Sequence, residues 1–312
     1  MTENIFAKLY NDFLSISDIA LKSIKDRSPL IHCITNPISI NDCANAVLAL
    51  GGRPIMAEHP MEVKKITEKA SALCLNIANI TDARMESIKI SAAAAYNSHI
   101  PFILDAVGIN CSELRYKYVN SLLEDITPTA IKGNLAEIKK LAHVKADYSG
   151  IDSTETIENE NDLQNAVDII KRLAAKRNCI IAATGSHDII SDGFTTAVVE
   201  NGSKLLTRIT GTGCMLNVII GTMLAADISA CYSKPEASSC TSDNIPAPKL
   251  GANMLRVILG AVILGICGEL AEINSHVAGM CCGLGTYHIN LMNELSVFTA
   301  DDIKERVRLR FL

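Results

Sequence analysis

The chain has 312 residues, of which 48% are hydrophobic and 20% are charged, so it can bury a sizeable core. Its formal net charge of −5 provides no basic surface for a phosphate backbone, which argues against nucleic acid as a principal partner. The 11 cysteines are scattered through apolar runs, a pattern that favours reduced thiols and a cytoplasmic location over a disulfide framework. We therefore expect a small-molecule partner.

The N-terminal segment 1–27 is predicted to form an amphipathic helix that leads into the main domain. Glu3, Lys8 and Asp12 interrupt the apolar stretch that a signal peptide needs, so no export is expected. The longest apolar run, residues 257–267, is shorter than the roughly 20 residues that span a bilayer. We interpret that run as a buried core helix and expect no membrane contact.

From residue 29 onward, short β-rich runs alternate with segments of helical periodicity, which indicates βαβ units on a parallel sheet. The predicted parallel strands are 30–34, 54–57, 72–77, 102–107, 129–132 and 179–184. Segments with an acidic start and apolar residues at intervals of three and four predict helices at 42–49, 82–97 and 162–176. Runs 188–191 and 195–200 flank the turn residues Asp192 and Gly193 and predict an antiparallel edge.

Two segments lack any periodicity and are predicted to be surface loops. Segment 145–161 is acidic and rich in Ser and Thr, and segment 230–249 gathers Ser, Pro, Cys and Asn. Neither segment divides the chain into two foldable halves, and the last third is predicted to be nearly all helical. We therefore expect a single α/β domain over 28–312, with a mostly parallel central sheet flanked by helices.

A glycine-rich turn, TGTGC at 210–214, precedes an apolar helix predicted over 214–226. Gly211 and Gly213 allow a tight turn and a close approach to a ligand, and the N–H groups at a helix start attract anions. The turn, with Thr212, is a candidate phosphate cradle for catalysis. About half of such glycine-rich helix starts are simple tight turns, so that alternative stays open.

Cys214 is a candidate catalytic base at the start of this helix. The positive end of the helix dipole is expected to lower the pKa of its thiol. The alternative, a small apolar residue near the helix start that happens to be cysteine, is equally favoured by the residue type alone.

Two carboxylates are predicted to project from the same edge of the sheet. Asp105 ends an apolar strand, and Glu137 follows Lys132 and Asn134 at the start of the next helix but one. Such an arrangement is typical of a Mg²⁺ site built on one or two carboxylates, waters and substrate phosphates. The alternatives are a first-turn helix carboxylate for Glu137 and a solvated side chain for Lys132.

Segment 34–45 is dense in amides and hydroxyls between a strand and an apolar helix. Helix capping accounts for one or two of these groups, and the others, including Asn36 and Asn45, are candidates to bind a small heteroaromatic ligand. Met56, which ends a short strand, either lines a ring pocket or packs in the core.

Taken in this order, the motifs resemble the hydroxyethylthiazole kinase family, a branch of the ribokinase-like kinases, over about residues 28–295. The family pattern HxITNxVxxNxxANxxLAxGxxPxM is matched by HCITNPISINDCANAVLALGGRPIM at 32–56. Further matches are LNI at 75–77, DAVG at 105–108, IKGN and EI within 131–138, ATGSHDIISDG from 183, GTGCML from 211 and GLGTY at 283–287.

The resemblance implies a ribokinase-like fold and transfer of the γ-phosphoryl group of ATP to the primary alcohol of hydroxyethylthiazole in thiamine salvage. It implies ATP contacts at Lys132 and Thr184, with Asn134 beside them, and Mg²⁺ near Asp105 and Glu137. It places the thiazole alcohol near Met56 and Gly211, and Cys214 where sugar kinases of the superfamily carry an aspartate base. It also implies a homotrimer with sites at subunit contacts.

The chain departs from the family pattern at four places. Ala78 and Asn79 stand where the family usually has Gly-Thr, Ala106 replaces a proline, and segment 109–112 differs from the usual turn. Lys132 replaces an arginine, which keeps the charge and loses the bidentate fork. Two alternatives therefore stay open: a kinase for another small alcohol, such as hydroxymethylpyrimidine, or a catalytically weak member that binds thiazole or nucleotide. No G-x-G-x-x-G follows the first strand, which disfavours a dinucleotide-binding dehydrogenase.

Overall fold

Strands and helices alternate through most of the chain. A computed structural model describes residues 2–144, 157–232, 250–276 and 283–312. The strands are β1 (Leu30–Ile34), β2 (Arg53–Ile55), β3 (Ala72–Asn76), β4 (Phe102–Asp105), β5 (Ala130–Asn134), β6 (Ile180–Thr184), β7 (Asp188–Ser191), β8 (Thr196–Val199) and β9 (Leu309–Phe311).

The helices occupy the connections between strands and most of the C-terminal third. They are α1 (Thr2–Arg27), α2 (Ile40–Ala49), α3 (Val63–Thr67), α4 (Asp82–Asn97), α5 (Glu113–Asp125), α6 (Leu135–Leu141), α7 (Glu160–Arg177), α8 (Thr212–Leu224), α9 (Ala252–Ser275), α10 (Leu284–Val297) and α11 (Ala300–Arg306). Two 3₁₀ turns, Lys204–Arg208 and Ser229–Cys231, lie on either side of α8.

Within the described residues, the strands form one sheet in the order β2-β1-β3-β4-β5-β6-β7-β8-β9. The pairings from β2 to β6 are parallel, and those from β6 to β9 are antiparallel. The mostly parallel sheet with an antiparallel edge is therefore confirmed. Since the parallel strands run in one direction, the loops at their C-terminal ends share one edge of the sheet.

Helices cover both faces of the sheet, because its strands are apolar on both sides. Successive strand residues point to opposite faces, so Cys74 packs in one hydrophobic cluster while Leu73 and Leu75 pack in the other. The first cluster includes residues of α1, α2, α8, α9, α10 and α11, and the second includes residues of α4 to α7. The result is the layered α/β architecture that the sequence predicts.

The two most apolar described helices, α8 and α9, lie side by side in the first cluster. Gly260 permits their close approach, since a Cβ there would lie 2.6 Å from Cγ1 of Ile220. Among the described helices, α9 is the one long and apolar enough to cross a membrane, and 83% of its most apolar 18-residue window is buried inside the protein. It is therefore the core helix that the apolar run 257–267 predicts.

Helix α1 packs its apolar stripe onto the same cluster. Leu9, Phe13 and Ile24 are at most 2% exposed there, which accounts for the amphipathic pattern by ordinary packing. The division of the chain into a lead-in 1–27 and a domain 28–312 stays a prediction.

The structure corrects several element boundaries. β2 ends at Ile55, so Met56 and Ala57 follow the strand, and α8 begins at Thr212, two residues before Cys214. In the described residues of the last third, the regular structure is helical, as predicted, except for the three-residue strand β9, which pairs with β8. The short helices α3 and α6 and strand β9 have too few residues to show a clear period.

Both predicted loops lie largely outside the described residues. In the first, α7 already begins at Glu160, so the predicted loop 145–161 is too long at its C-terminal end. In the second, Ser229–Cys231 forms a 3₁₀ turn, and residues 233–249 fall outside the described part of the chain.

Candidate active site

Polar side chains gather at the C-terminal edge of the parallel strands, where the sequence predicts a site. Asn76, Asp105 and Lys132 are direct neighbours across β3, β4 and β5. All three are buried, with at most 4% of each residue exposed, and α8 packs over β3 and β4. The strand register therefore brings an amide, a carboxylate and an ammonium group together beneath the start of α8.

Asp105 and Lys132 form a buried ion pair. The Nζ of Lys132 lies 2.8 Å from Oδ2 of Asp105 and also donates to the carbonyl of Gly213 at 3.0 Å. Burial raises the pKa of Asp105, and the charge of Lys132 opposes that shift. For Lys132, burial lowers the pKa, but the attraction of Asp105 outweighs it, and the net shift is upward. Lys132 is therefore a buried cation tied to the glycine-rich turn.

One oxygen of this ion pair can still accept a hydrogen bond or bind a cation. Oδ1 of Asp105 is buried and makes no hydrogen bond of good geometry among the described residues, although the nearby backbone N–H of Val107 favours the charged form and lowers the pKa of this carboxyl. A buried oxygen without a partner is rare in folded proteins, and a water, an ion or a ligand group could satisfy it. Asp105 therefore fits the part of a carboxylate that helps to hold a cation beside substrate phosphates.

Glu137 caps helix α6, the helix that directly follows β5. Its Oε2 accepts a hydrogen bond from Asn134 N at 2.6 Å, and Asn134 Oδ1 accepts from Glu137 N at 2.9 Å, which completes a capping box. Its Oε1 accepts from Gly108 N at 2.7 Å. Because α5 and then α6 follow the strand of Asp105, the predicted position of Glu137 at the start of the next helix but one is confirmed, and so is its first-turn placement.

The carboxylate of Glu137 nevertheless keeps an electrostatic link to the ion pair. Burial, and next the charge of Asp105, raises the pKa of Glu137 to about 7. Each carboxylate oxygen can accept a second hydrogen bond or a cation, so the cap does not exhaust it. Among the described residues, no group of three or more His, Cys, Asp or Glu could hold a metal ion. Any Mg²⁺ here would therefore depend on waters and phosphates for its other ligands.

The thiol of Cys214 is held by two amides. Nδ2 of Asn36 lies 3.1 Å from the Sγ of Cys214, and Nδ2 of Asn76 lies 3.3 Å from it. Oδ1 of Asn76 accepts from Ala78 N at 2.8 Å, and Oδ1 of Asn36 accepts from Ile38 N at 3.0 Å, so both amides present N–H groups to the sulfur. Nδ2 of Asn76 also donates to Oδ2 of Asp105 at 3.0 Å. Asn76 thus joins the thiol to the ion pair.

The electrostatic environment of Cys214 differs from the predicted one. Burial, followed by the charge of Asp105, raises the pKa of the thiol, although Ser39, Lys132 and Asn36 act in the opposite direction. The prediction of a lowered pKa is therefore wrong, because desolvation and a neighbouring carboxylate outweigh the favourable groups at the helix start.

The glycine-rich turn starts helix α8 through a left-handed residue. Gly211 has a φ of +94°, and a Cβ there would lie 2.9 Å from the Cβ of Ser39. Thr212 donates its hydroxyl to the carbonyl of Leu206 at 2.9 Å, so this hydroxyl anchors the turn to the preceding 3₁₀ segment. Glycine at 211 lets the turn approach segment 34–45 closely, which places Asn36 beside Cys214.

The other predicted site residues have different surroundings. Thr184 pairs with Asn134 across β5 and β6, and its hydroxyl donates to the carbonyl of Gly133 at 3.3 Å. Met56 is half-buried and packs against the cluster that Cys214 also contacts. Asn45 is exposed on α2, and no hydrogen bond joins it to the described residues around Cys214. The ligand roles of these residues stay predictions.

Asn76 and Ser39 contribute to the site without having been assigned a role from sequence. Both lie within motifs, and the signal that identifies Asn76 is its position at the end of a buried strand adjacent to the strand of Asp105. An amide at the C-terminal end of a parallel strand faces the same edge as the carboxylate beside it.

Comparisons with known proteins agree with this geometry. The sequence model of the "Hydroxyethylthiazole kinase family" matches residues 21–274. A relative named "Hydroxyethylthiazole kinase 2" from Clostridium botulinum is 40% identical over 290 residues, which cover 92% of this chain and 97% of the relative. A "Hydroxyethylthiazole kinase" from Methanobrevibacter smithii is 42% identical over 213 residues, which cover 66% of this chain and 74% of that protein.

Solved structures give the same family and fold. The hydroxyethylthiazole kinase protein from Pyrococcus horikoshii is 26% identical, with a TM-score of 0.76 over 96% of this chain and 99% of that one. A ribokinase-like superfamily protein from Enterococcus faecalis, 13% identical with a TM-score of 0.57 over 92% of this chain and 94% of that one, shares the fold. Since the family match spans most of the chain and includes the strands and turn that carry the site, the chain belongs to the hydroxyethylthiazole kinase family.

Proposed function

We propose that this protein transfers the γ-phosphoryl group of ATP to the primary alcohol of hydroxyethylthiazole. The observation that carries the proposal is the buried contact set in which Asn76 joins the thiol of Cys214 to the Asp105–Lys132 ion pair. A proton acceptor, a cation and a carboxylate with an unpaired oxygen lie at one helix start. These are the groups that in-line phosphoryl transfer requires.

Cys214 is the proposed acceptor of the alcohol proton. Phosphoryl transfer has a loose transition state, so the attacking alcohol loses its proton late and needs a correctly placed acceptor more than a strong one. The amides of Asn36 and Asn76 hold the sulfur in one place. The sulfur can accept this proton only as a thiolate, and burial and the charge of Asp105 raise the pKa of the thiol, so the accepting thiolate is a minor form whose share increases with pH.

Lys132 and the start of α8 are proposed to bind the phosphates of ATP. The buried ammonium group of Lys132 provides a positive charge next to the carbonyl of Gly213, and the free N–H groups of the first helical turn add donors. Thr184 and Asn134, side by side on β6 and β5, are the proposed neighbouring nucleotide contacts. Lysine offers a point charge here in place of the planar arginine fork.

Mg²⁺ is the proposed cofactor, and Asp105 would hold it, with Glu137 nearby. The unpaired Oδ1 of Asp105 fits such a cation. When bound, Mg²⁺ would neutralise the charge that develops on the transferring phosphoryl group.

Gly211, Met56 and the residues of segment 34–45 are proposed to bind the thiazole, in a cytoplasmic homotrimer with sites at subunit contacts. Exposed apolar residues on and beside α2 and α10 support the assembly: Ile38 is 67% exposed, Leu48 55% and Ile289 64%. Asn45 lies one turn before Leu48 on the exposed side of α2. In a trimer, Asn45 would therefore face a neighbouring subunit instead of its own Cys214.

Release of ADP from ATP, measured with Mg²⁺ and with or without hydroxyethylthiazole, tests the proposal. We expect thiazole to stimulate turnover in the wild type and Cys214→Ala to lower the stimulated rate about 10²-fold. Circular dichroism of the variant serves as the folding control. Thiazole binding without any stimulation in the wild type would instead identify a binding subunit.

A further inference from the structure

The loop after β2, which begins with Met56, is anchored to the protein interior by its backbone. The carbonyl of Ala57 accepts a hydrogen bond from Nε2 of His32 at 2.9 Å. Because Nε2 carries the proton, Nδ1 of His32 accepts from the hydroxyl of Thr67, also at 2.9 Å. His32 and Thr67 are completely buried, and burial lowers the pKa of His32, so the neutral ring that these bonds require is favoured.

The next residue of the loop, Glu58, is bound by helix α4. Its Oε2 accepts from Nε of Arg84 at 3.0 Å and from Nη2 of Arg84 at 2.6 Å. Its backbone carbonyl accepts from the hydroxyl of Ser87 at 2.6 Å. Two consecutive residues after Met56 are therefore fixed by β1 and α4.

Arg84 also holds the loop that follows β3. Its Nη1 donates to the carbonyl of Asn79 at 2.9 Å, and Asn79 has a left-handed φ of +48°. That loop directly follows Asn76, the last residue of β3, whose Oδ1 accepts from Ala78 N at 2.8 Å. One guanidinium group thus joins the loop of Met56 to the loop that orients the amide beside Cys214. Ala78 and Asn79 are also where the chain departs from the family pattern.

We propose that Arg84 and Glu58 form a clamp that positions Met56 and thereby sets the affinity for the thiazole ring. The proposal rests on the proposed function, because it takes Met56 to be part of the thiazole pocket. Arg84 and Glu58 are positioning residues that touch no substrate atom.

The exposure of the pair favours positioning over a large contribution to stability. The side chain of Glu58 is 49% exposed and that of Arg84 only 7%, so water screens one partner of the ion pair. Yet all three nitrogen positions of the Arg84 guanidinium donate hydrogen bonds, and every acceptor belongs to a loop at the sheet edge. A planar guanidinium group that binds two loops fixes the distance between them. A single ammonium group cannot make the same set of hydrogen bonds.

The experiment measures the Kd of hydroxyethylthiazole by calorimetry without nucleotide, and kcat and KM for thiazole and for ATP. Glu58→Gln and Arg84→Met are each expected to raise the Kd and KM for thiazole about tenfold, with kcat and the KM for ATP nearly unchanged. Arg84→Lys, which keeps the charge, should recover only part of the affinity. The double variant should resemble a single variant, because both changes break one clamp.

Arg308→Met is the matched control. Arg308 also pairs with a carboxylate, Glu269 at 2.6 Å, and donates to a backbone carbonyl, that of Glu200 at 2.7 Å, but it lies at the antiparallel edge. Equal thiazole affinities in wild type, Glu58→Gln and Arg84→Met would overturn the clamp, as would an equal loss in Arg308→Met. A wild type that neither binds nor phosphorylates thiazole would instead refute the proposed function. If Arg84→Met does not fold, the thiazole affinity of Glu58→Gln alone tests the clamp, since Glu58 lies at the surface.

Discussion

Polar groups at the parallel and the antiparallel parts of the sheet find their partners in different ways. At the parallel edge, Asn76, Asp105 and Lys132 come from three strands and bond to one another across them. At the antiparallel edge, Asp192 accepts hydrogen bonds from Phe194 N at 2.9 Å and Thr195 N at 2.8 Å, two and three residues away. The polar groups at the parallel edge are brought together by the tertiary fold, whereas Asp192 makes its hydrogen bonds within its own turn.

The difference distinguishes a site from a structural motif. The turn at Asp192 satisfies its carboxylate locally, as side chains in hairpin turns commonly do. The parallel edge leaves Oδ1 of Asp105 buried without a partner among the described residues. Burying polar groups costs free energy unless all are paired, so a ligand or ion that pairs with this acceptor would be stabilised at the parallel edge.

The largest effect is expected from Asp105→Asn. The substitution keeps an oxygen that can accept from Lys132 but removes the negative charge, so thiazole-dependent turnover should fall about 10³-fold. Steady-state kinetics with circular dichroism as a folding control would measure it. Retained activity in a folded variant would mean that the unpaired oxygen of Asp105 has no catalytic part.

Asn76→Ala should have the next largest effect. It removes the amide that donates to both Asp105 and Cys214, so kcat is expected to fall about tenfold or more, with little change in the KM for ATP. Asn201→Ala is the control, because Asn201 is also buried and makes several hydrogen bonds, but at the antiparallel edge. A loss of kcat of the same size in the control would show that Asn76 acts only through stability.

Asp192→Ala should lower the stability of the fold and leave kcat unchanged. The loss of two hydrogen bonds in the turn is expected to lower the free energy of unfolding by about 1 kcal/mol. Urea denaturation and kinetics on the same preparation would separate the two quantities. A fall in kcat in the folded variant would contradict the division between the two edges.

The smallest effect concerns the pH dependence of stability at Asp188, the first residue of β7. Asp188 is only half-buried, and the loss of water around its carboxylate raises its pKa from 3.8 to about 7, against the opposing effects of Gly185 N–H and Lys132. Because the folded pKa lies above the unfolded one, the group favours the folded state in acid, and this contribution is lost as the pH rises to about 7. Asp188→Asn should therefore flatten the fall in Tm between about pH 4 and about pH 8. An unchanged slope in differential scanning calorimetry would contradict the raised pKa.

Much of the fold could be predicted because the parallel strands are continuous apolar runs bounded by clear turn residues. The same runs located Asp105 and Lys132, since the end of a buried strand is visible in the sequence. Strand β9 was missed because a three-residue strand has no period of its own and forms only by pairing with β8.

The site was harder to predict where it depends on contacts across the sheet. The raised pKa of Cys214 reflects burial and the charge of Asp105, neither of which its local sequence contains. The position of Glu137 in a capping box depends on α6 starting directly after β5. The exposure of Asn45, in contrast, is visible in the sequence, because the apolar period of Cys43, Ala46, Val47 and Leu50 defines the inward face of α2 and leaves Asn45 outside it.

The most direct test of the central claim is to identify the product formed from ATP and hydroxyethylthiazole. Mass spectrometry and ³¹P NMR of reactions with wild type, Cys214→Ala and Asp105→Asn would show whether a phosphomonoester forms on the alcohol. A thiazole phosphate made by the wild type in equal amount to ADP, and strongly reduced in both variants, is the predicted result. ADP formed with free phosphate and no thiazole phosphate, or product unaffected by either substitution, would contradict the claim that this edge of the sheet is the phosphoryl-transfer site.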